Sequence, residues 1–342
     1  MTTLLDMTYD ELGNEVEKLG EKRYRTRQIA EWLNSCTPIS DMSNLSKDFR
    51  ARLAAAFSEG YPEIAGSLTS EDGTRKYLLR LADGNVVESV VMQYEYGNTI
   101  CISTQIGCAM GCRFCASCKN GLERNLTSGE ILGEVVRVNQ TLGSGRNITN
   151  VVMMGIGEPF ANFDNVVKAI RLLNSETGLN ISMRNISLST CGIVPKIEEF
   201  TELDIPVTLC LSLHSVFDRK RREIMPIAEK YSVSEIVAAM RKHSEKTGRR
   251  VIFEYILIKG FNDLAEDADE IKRLTAGMNC HFNLIPYNRI DEMPFEAPTK
   301  KEVYRFLEML NERGVSATVR RSLGSDIAGA CGQLRAGYMK NA

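Results

Sequence analysis

Between residues 99 and 319, short apolar runs alternate with amphipathic helical periods, and this alternation constrains the fold more than any other feature of the chain. Residues 99–103, 150–154, 185–189, 207–213, 251–258, 280–285 and 316–319 read as strands. Residues 126–140, 166–174, 195–203, 234–247, 263–276 and 300–312 read as helices between them. Near-continuous apolar strands spaced by helices mark a parallel sheet covered on both faces. Five or six such units predict an α/β protein built on a partial (β/α)6 barrel. In parallel α/β architectures ligands gather at the carboxyl ends of the strands. Chemistry-bearing residues that follow each strand are therefore the first candidates for a site.

Ahead of the alternation the pattern differs. Residues 9–18, 26–33 and 45–57 have helical spacing with Asp or Ser at plausible caps, so residues 1–60 are expected to form a small helical accessory domain. Two alternating runs flank Asp83, Gly84 and Asn85, a hairpin signal, and residues 61–97 read as a short β extension. Residues 98–342 then form the barrel and a C-terminal segment.

The cysteines narrow the chemistry. Ten are present, and no secretory signal or long apolar span accompanies them. Thiols in such a chain argue for metal or catalysis rather than a disulfide framework, in a reducing cytoplasm. Three of them, Cys108, Cys112 and Cys115, stand in the spacing C-x3-C-x2-C. A four-iron cluster normally takes four thiolates, so three in one loop leave one iron with an open position, where chemistry can occur. A zinc loop or plain buried thiols are the alternatives, but zinc sites usually pair two such knuckles and no second is evident.

Strand-end residues supply further candidates. Gly157 and Glu158 follow the strand that ends at Met154, Ser189 closes the next, and Ser212, Leu213 and His214 close the one after. Asn288 lies just past the strand at 280–285. Glycine lets backbone approach a ligand closely, and a carboxylate can meet an ammonium group. The net charge of −2 excludes a globally basic nucleic-acid coat, while two basic clusters, residues 22–27 and 219–222, remain as RNA contacts or as solvated faces.

The residues from Cys101 to Ala116 resemble the cluster segment of the RlmN/Cfr family of radical S-adenosylmethionine RNA methyltransferases. Similar family motifs are found at 125–131, 154–159, 212–214, 224–227, 260–263, 319–321 and 326–334, and the likeness spans nearly the whole chain. The resemblance implies a radical S-adenosylmethionine barrel holding a 4Fe-4S cluster on Cys108, Cys112 and Cys115. It implies S-adenosylmethionine contacts at Gly157, Glu158, Ser189, Ser212, Leu213, His214 and Asn288. It implies that Cys331 carries a methyl group from one S-adenosylmethionine, and that a radical made from a second activates that S-methyl group toward an adenine carbon. Cys101 would then release the product by attacking the Cys331 sulfur, with Glu88 as proton acceptor. Cys118 departs from the family pattern, where a small or uncharged residue is common, and is not assigned as a ligand.

The implied activity is methylation of adenine C2 in 23S ribosomal RNA, with transfer RNA as a candidate second substrate. The antibiotic-resistance branch, which methylates C8, is the alternative reading. Flavodoxin is the expected electron donor by family analogy, and a monomer without membrane association is the expected state.

Overall fold

The computed structural model describes residues 3–143, 147–289 and 293–334. Residues 335–342, the end of the expected barrel region, lie outside the described residues. The chain begins with three helices, α1 (Tyr9–Lys18), α2 (Arg25–Asn34) and α3 (Lys47–Ala56). In α1 the Thr8 hydroxyl accepts the Glu11 N–H while the Glu11 carboxylate accepts the Thr8 N–H, which satisfies two of the amides a helix start leaves bare.

Three antiparallel strands follow, β1 (Glu63–Thr69), β2 (Arg75–Arg80) and β3 (Val86–Tyr94). They join the main sheet rather than standing apart as a hairpin appendage. β3 pairs antiparallel with β4 (Gly97–Cys101) in a register that sets Val90 opposite Cys101. From β4 every neighbour is parallel: β7 (Ile148–Met153), β8 (Ile186–Thr190), β9 (Thr208–Ser212), β10 (Val251–Leu257), β11 (Cys280–Pro286) and β12 (Ala317–Val319). The single large sheet runs β1-β2-β3-β4-β7-β8-β9-β10-β11-β12. Its two edges, β1 and β12, do not meet, so the barrel is open.

The connections between these parallel strands carry α4 (Ser128–Thr141), α5 (Phe163–Asn174), α6 (Val194–Glu202), α7 (Asp218–Ile224) with α8 (Val233–Thr247), α9 (Ala265–Thr275) and α10 (Lys300–Glu312). Reciprocal Ser/Thr–Glu caps start α4, α8 and α10 as they start α1. This is the six-unit β/α alternation with a seventh parallel strand at the end. Two short strands, β5 (Gln105–Gly107) and β6 (Leu122–Asn125), pair antiparallel and close the base of the cysteine loop.

The helices α1 to α3 share one continuous apolar core with the barrel. The Asp6 carboxylate reaches across to α4, accepting the Gly129 N–H at 2.5 Å and the Ser128 hydroxyl at 3.0 Å. A carboxylate at a helix N-terminus offsets the exposed amide dipoles there. Glu11 of α1 pairs with Lys168 of α5 at 2.8 Å.

Candidate active site

The cysteine loop leaves the sheet after β4 and returns through β6. Its base needs glycine: a Cβ on Gly107, whose φ is +74°, would sit 1.9 Å from the Gly121 carbonyl oxygen. The Cys108 N–H donates to that same carbonyl at 3.0 Å, and the Arg113 N–H donates to the Ile224 carbonyl at 2.9 Å. Cys108, Cys112 and Cys115 thereby border one cavity of about 870 Å3 that is open to solvent. Interaction with the Cys118 sulfur, together with burial, raises the thiols of Cys108, Cys112 and Cys115 above the usual thiol range.

Opposite the thiols, the strand ends form the rest of the wall. Gly155 and Gly157 sit so close to the turn after β4 that Cβ atoms would fall 2.6 Å from the Ile102 carbonyl oxygen and 2.7 Å from the Gln105 Cβ. The Glu158 carboxylate is buried and tied by the Phe160 N–H at 3.0 Å and the Cys191 N–H at 2.7 Å. Burial pushes its pKa up, and those amide hydrogen bonds oppose the shift. The hydroxyls of Ser189 and Ser212 face each other at 3.3 Å.

His214 follows β9 with φ +57°, the left-handed region that a residue with a Cβ seldom adopts. The strain is held from two sides. Its carbonyl accepts the Asn262 amide at 2.7 Å, and its Nδ1 accepts the Ile256 N–H at 3.1 Å. An Nδ1 that accepts must be unprotonated, which leaves Nε2 as the donor. Burial, aided by the Arg221 cation, drops the imidazole pKa to about 3. Leu213 is fully buried and borders neither cavity; its N–H donates to the Glu254 carbonyl at 3.1 Å and its carbonyl accepts from Arg221.

Sequence reasoning set Arg219 to Arg222 aside as a basic patch or a solvated face. The structure corrects both readings for its two central residues. Arg221 is fully buried and clamps three carbonyls that end neighbouring strands: Leu213 at 3.0 Å, Cys191 at 2.7 Å and Ser212 at 3.1 Å. Lys220 is buried against Asp267 at 3.0 Å. Only Arg219 and Arg222 are exposed, beside Glu223 and Glu229. Arg320 is a second functional candidate, one the sequence offered only inside the 319–321 motif and with no role assigned. It lines both site cavities, with Nη1 3.9 Å from Glu254 Oε2 and 3.6 Å from the Met154 sulfur.

Cys101 closes β4 and Cys331 lies on the C-terminal loop, and both border a second cavity of about 610 Å3 together with Asn288, Arg320 and Cys115. Burial, then the nearby Cys331 sulfur, raises the Cys101 pKa to about 12. The loop that carries Cys331 is fastened at both ends. Asp326 accepts the Ser70 hydroxyl at 2.5 Å and the Glu71 N–H at 3.2 Å, and Asp72 accepts the Gly324 N–H at 2.9 Å. At the far end the Ala116 N–H donates to the Gly332 carbonyl at 2.7 Å, and the Ser117 hydroxyl donates to the Leu334 carbonyl at 2.8 Å. Between them the Asn288 amide donates to the Cys331 carbonyl at 3.1 Å. Glu88 is buried on β3, on the strand face that also carries Val90 and Met92, and pairs with Lys76 at 3.4 Å. It borders neither cavity.

The geometry meets its relatives here. Residues 102–274 match the Radical SAM superfamily, and residues 2–58 match the Ribosomal RNA large subunit methyltransferase N-terminal domain. The chain is 52% identical over its full length, and over 99% of theirs, to a probable dual-specificity RNA methyltransferase RlmN of Clostridium perfringens strain 13. It is 46% identical over the whole of both chains to the protein of the same name from Clostridium novyi strain NT. The chain belongs to the RlmN family of radical SAM enzymes. A crystal structure of a radical SAM methyltransferase from Sphaerobacter thermophilus superposes with a TM-score of 0.95 at 41% identity, covering 98% of this chain and 99% of that one.

As an RlmN-family protein the chain is an RNA methyltransferase that uses S-adenosylmethionine and a 4Fe-4S cluster. The donor set fits that cluster: soft thiols at the rim of a cavity, facing glycine backbone with no side chain to fill it. Among the described residues no three His, Cys, Asp or Glu side chains close on a single metal ion. A cluster does not require such convergence, because its ligands bind separate iron atoms.

Proposed function

We propose that this protein methylates C2 of an adenosine in 23S ribosomal RNA, and of one in transfer RNA, through a methyl group carried on Cys331. The observation that carries this reading is the shared cavity of Cys101 and Cys331, which adjoins the thiol-lined cavity through Cys115, Arg320 and Gly332. An adenine C2 is not nucleophilic, so direct transfer from a methyl sulfonium fails and a protein-bound carrier splits the task.

In this reading Cys108, Cys112 and Cys115 hold the cluster. When bound, the cluster and its S-adenosylmethionine supply a carbon radical strong enough to activate an S-methyl C–H bond. Gly157 offers unobstructed backbone and Glu158 a fixed acceptor for the ammonium group. Ser189 and Ser212 line the nucleoside side, with Leu213 packed behind them, and His214 presents its Nε2–H. Asn288 changes partners, holding the Cys331 carbonyl in this conformation and S-adenosylmethionine in the loaded one. Cys331 Sγ takes the methyl group and gives up its proton. Cys101 Sγ, having given up its proton, later attacks Cys331 Sγ; the disulfide forms as the carbon–sulfur bond breaks, and the released carbon keeps the bonding pair and takes up a proton to become the methyl group. Glu88 remains the proposed acceptor of the adenine C2 proton, a role that needs a path from the cavity to the buried Lys76–Glu88 pair, and an external dithiol reduces the disulfide before the next cycle. Flavodoxin is the proposed electron donor, and the monomer in the cytoplasm the working form. No helix among the described residues is long and apolar enough to cross a membrane.

The test is anaerobic reconstitution followed by mass spectrometry of digested ribosomal and transfer RNA. 2-Methyladenosine is expected from the wild type and none from Cys331→Ala, whose iron content should stay at the wild-type level. Methylation by Cys331→Ala would remove the carrier role, and 8-methyladenosine would reassign the carbon.

A further inference from the structure

The cysteine run does not stop at Cys115. Cys118 extends it to C-x3-C-x2-C-x2-C, which supplies four thiols, the number a fully protein-held four-iron cluster takes. Cys118 ends the 3-10 turn Ala116–Cys118, and Cys115 immediately precedes that turn. Residues three apart on such a turn fall on one side. The Cys118 side chain lines the same cavity as those of Cys108, Cys112 and Cys115. Glu158, Ser189 and His214 wall that cavity too.

The turn's backbone is fixed on every side. The Cys118 N–H donates to the Cys115 carbonyl at 3.4 Å, and the Gly121 N–H donates to the Cys118 carbonyl at 3.2 Å. Ala116 and Ser117 are fastened to the Cys331 loop by the two hydrogen bonds described above. A fourth thiol is therefore held on the same cavity wall as the three cluster ligands, in the cavity that must also admit S-adenosylmethionine.

We propose that Cys118 is the resting ligand of the fourth iron, bound as a thiolate while S-adenosylmethionine is absent and displaced when it enters. The proposal rests on the cofactor reading above and adds a role for a residue that departs from the family pattern. The exchange balances without another reagent. The Cys118 sulfur–iron bond breaks as the amino nitrogen and carboxylate oxygen of S-adenosylmethionine bind that iron. The α-ammonium group must shed one proton to donate its lone pair, and the departing thiolate takes up one proton. No electron moves. The consequence is an iron shielded until its substrate arrives, at the cost of competition for that substrate.

The experiment is zero-field Mössbauer spectroscopy of the 57Fe-reconstituted protein, with and without S-adenosylmethionine, for the wild type, Cys118→Ala and Cys118→Ser. In the wild type without S-adenosylmethionine, all four irons should show a four-sulfur environment, and one should change when it is added. In Cys118→Ala one iron should already have an oxygen- or nitrogen-ligated signature beforehand, and Cys118→Ser should show the oxygen-ligated signature too. S-adenosylmethionine affinity is the second readout. A fourth iron capped nine times in ten weakens apparent binding about tenfold, so Cys118→Ala should bind about tenfold more tightly than the wild type. A wild-type spectrum that already contains the distinct iron, with equal affinities in wild type and variants, would overturn the proposal and leave the cofactor reading intact. Failure of the wild type to assemble any four-iron cluster would overturn both.

Discussion

Gly157 shows how tightly single residues are constrained around the cavity. Its φ of +111° excludes most side chains, and an added Cβ would press on the Gln105 Cβ at 2.7 Å and backbone nitrogen at 2.8 Å. Gly157→Ala should cost about 1–3 kcal/mol of stability and weaken S-adenosylmethionine binding, as read by thermal unfolding and equilibrium titration; an unaffected affinity would show that the turn does not touch the ligand. Glu134 of α4 is a different kind of constraint. It accepts the Ser89 hydroxyl at 2.6 Å and the Ser103 N–H at 3.1 Å in the core, and burial lifts its pKa to about 8. The folded protein then retains a proton that the unfolded chain releases above the ordinary carboxylate pKa. Its contribution to stability is whole below that pKa and is lost as pH rises toward 8. Thermal unfolding at about pH 5 and about pH 8 should show the wild type losing more stability than Glu134→Gln over that interval. At this scale the cluster thiols were legible, because their spacing in sequence is itself the chemistry. Arg221 and Glu134 were not, because a charge reads as solvated until its buried partners are known.

The ends of β8 and β9, part of the wall opposite the thiols, are tied together from behind by the short charged helix α7. Its Arg221 satisfies the carbonyls of Cys191, Ser212 and Leu213 at once. Arg221→Met would leave buried acceptors without donors, a loss of about 3 kcal/mol, and would free the loops that carry Ser212 and His214. S-adenosylmethionine affinity should fall while iron and sulfide per chain stay near wild type; an equal loss of both would mean that the clamp supports the whole barrel instead. The elements that sequence periodicity located well are the barrel's strands and long helices, whose apolar faces repeat over two or more turns or fill a whole strand. It did not announce α7 or β1. The helix is short and mostly charged, and β1 is an edge strand whose residues are largely exposed or half-buried, so neither carries a full apolar period. The β extension was legible as a hairpin, but not its task, which is to hold the Cys331 loop through Ser70 and Asp72 across more than 250 residues of sequence.

On the scale of the whole molecule, an open sheet gathers thiols from the start and end of the barrel region around two adjoining cavities. The helices α1 to α3 share the barrel's core, so deleting them should unfold more than an RNA-binding surface. That surface can be probed more gently: Lys22 and Arg27 are exposed, and the double substitution to Ala should make the salt dependence of RNA affinity shallower by about 0.7 in slope for each phosphate that a side chain no longer neutralises. An unchanged slope would place the RNA elsewhere. The most direct measurement of the central claim uses Cys101→Ala, reconstituted and incubated with substrate RNA and S-adenosylmethionine. Without the thiol that attacks the Cys331 sulfur, the account predicts RNA that stays covalently attached to the protein through the Cys331 peptide and survives denaturing electrophoresis. Free methylated RNA released at the wild-type rate, with no covalent species, would contradict it.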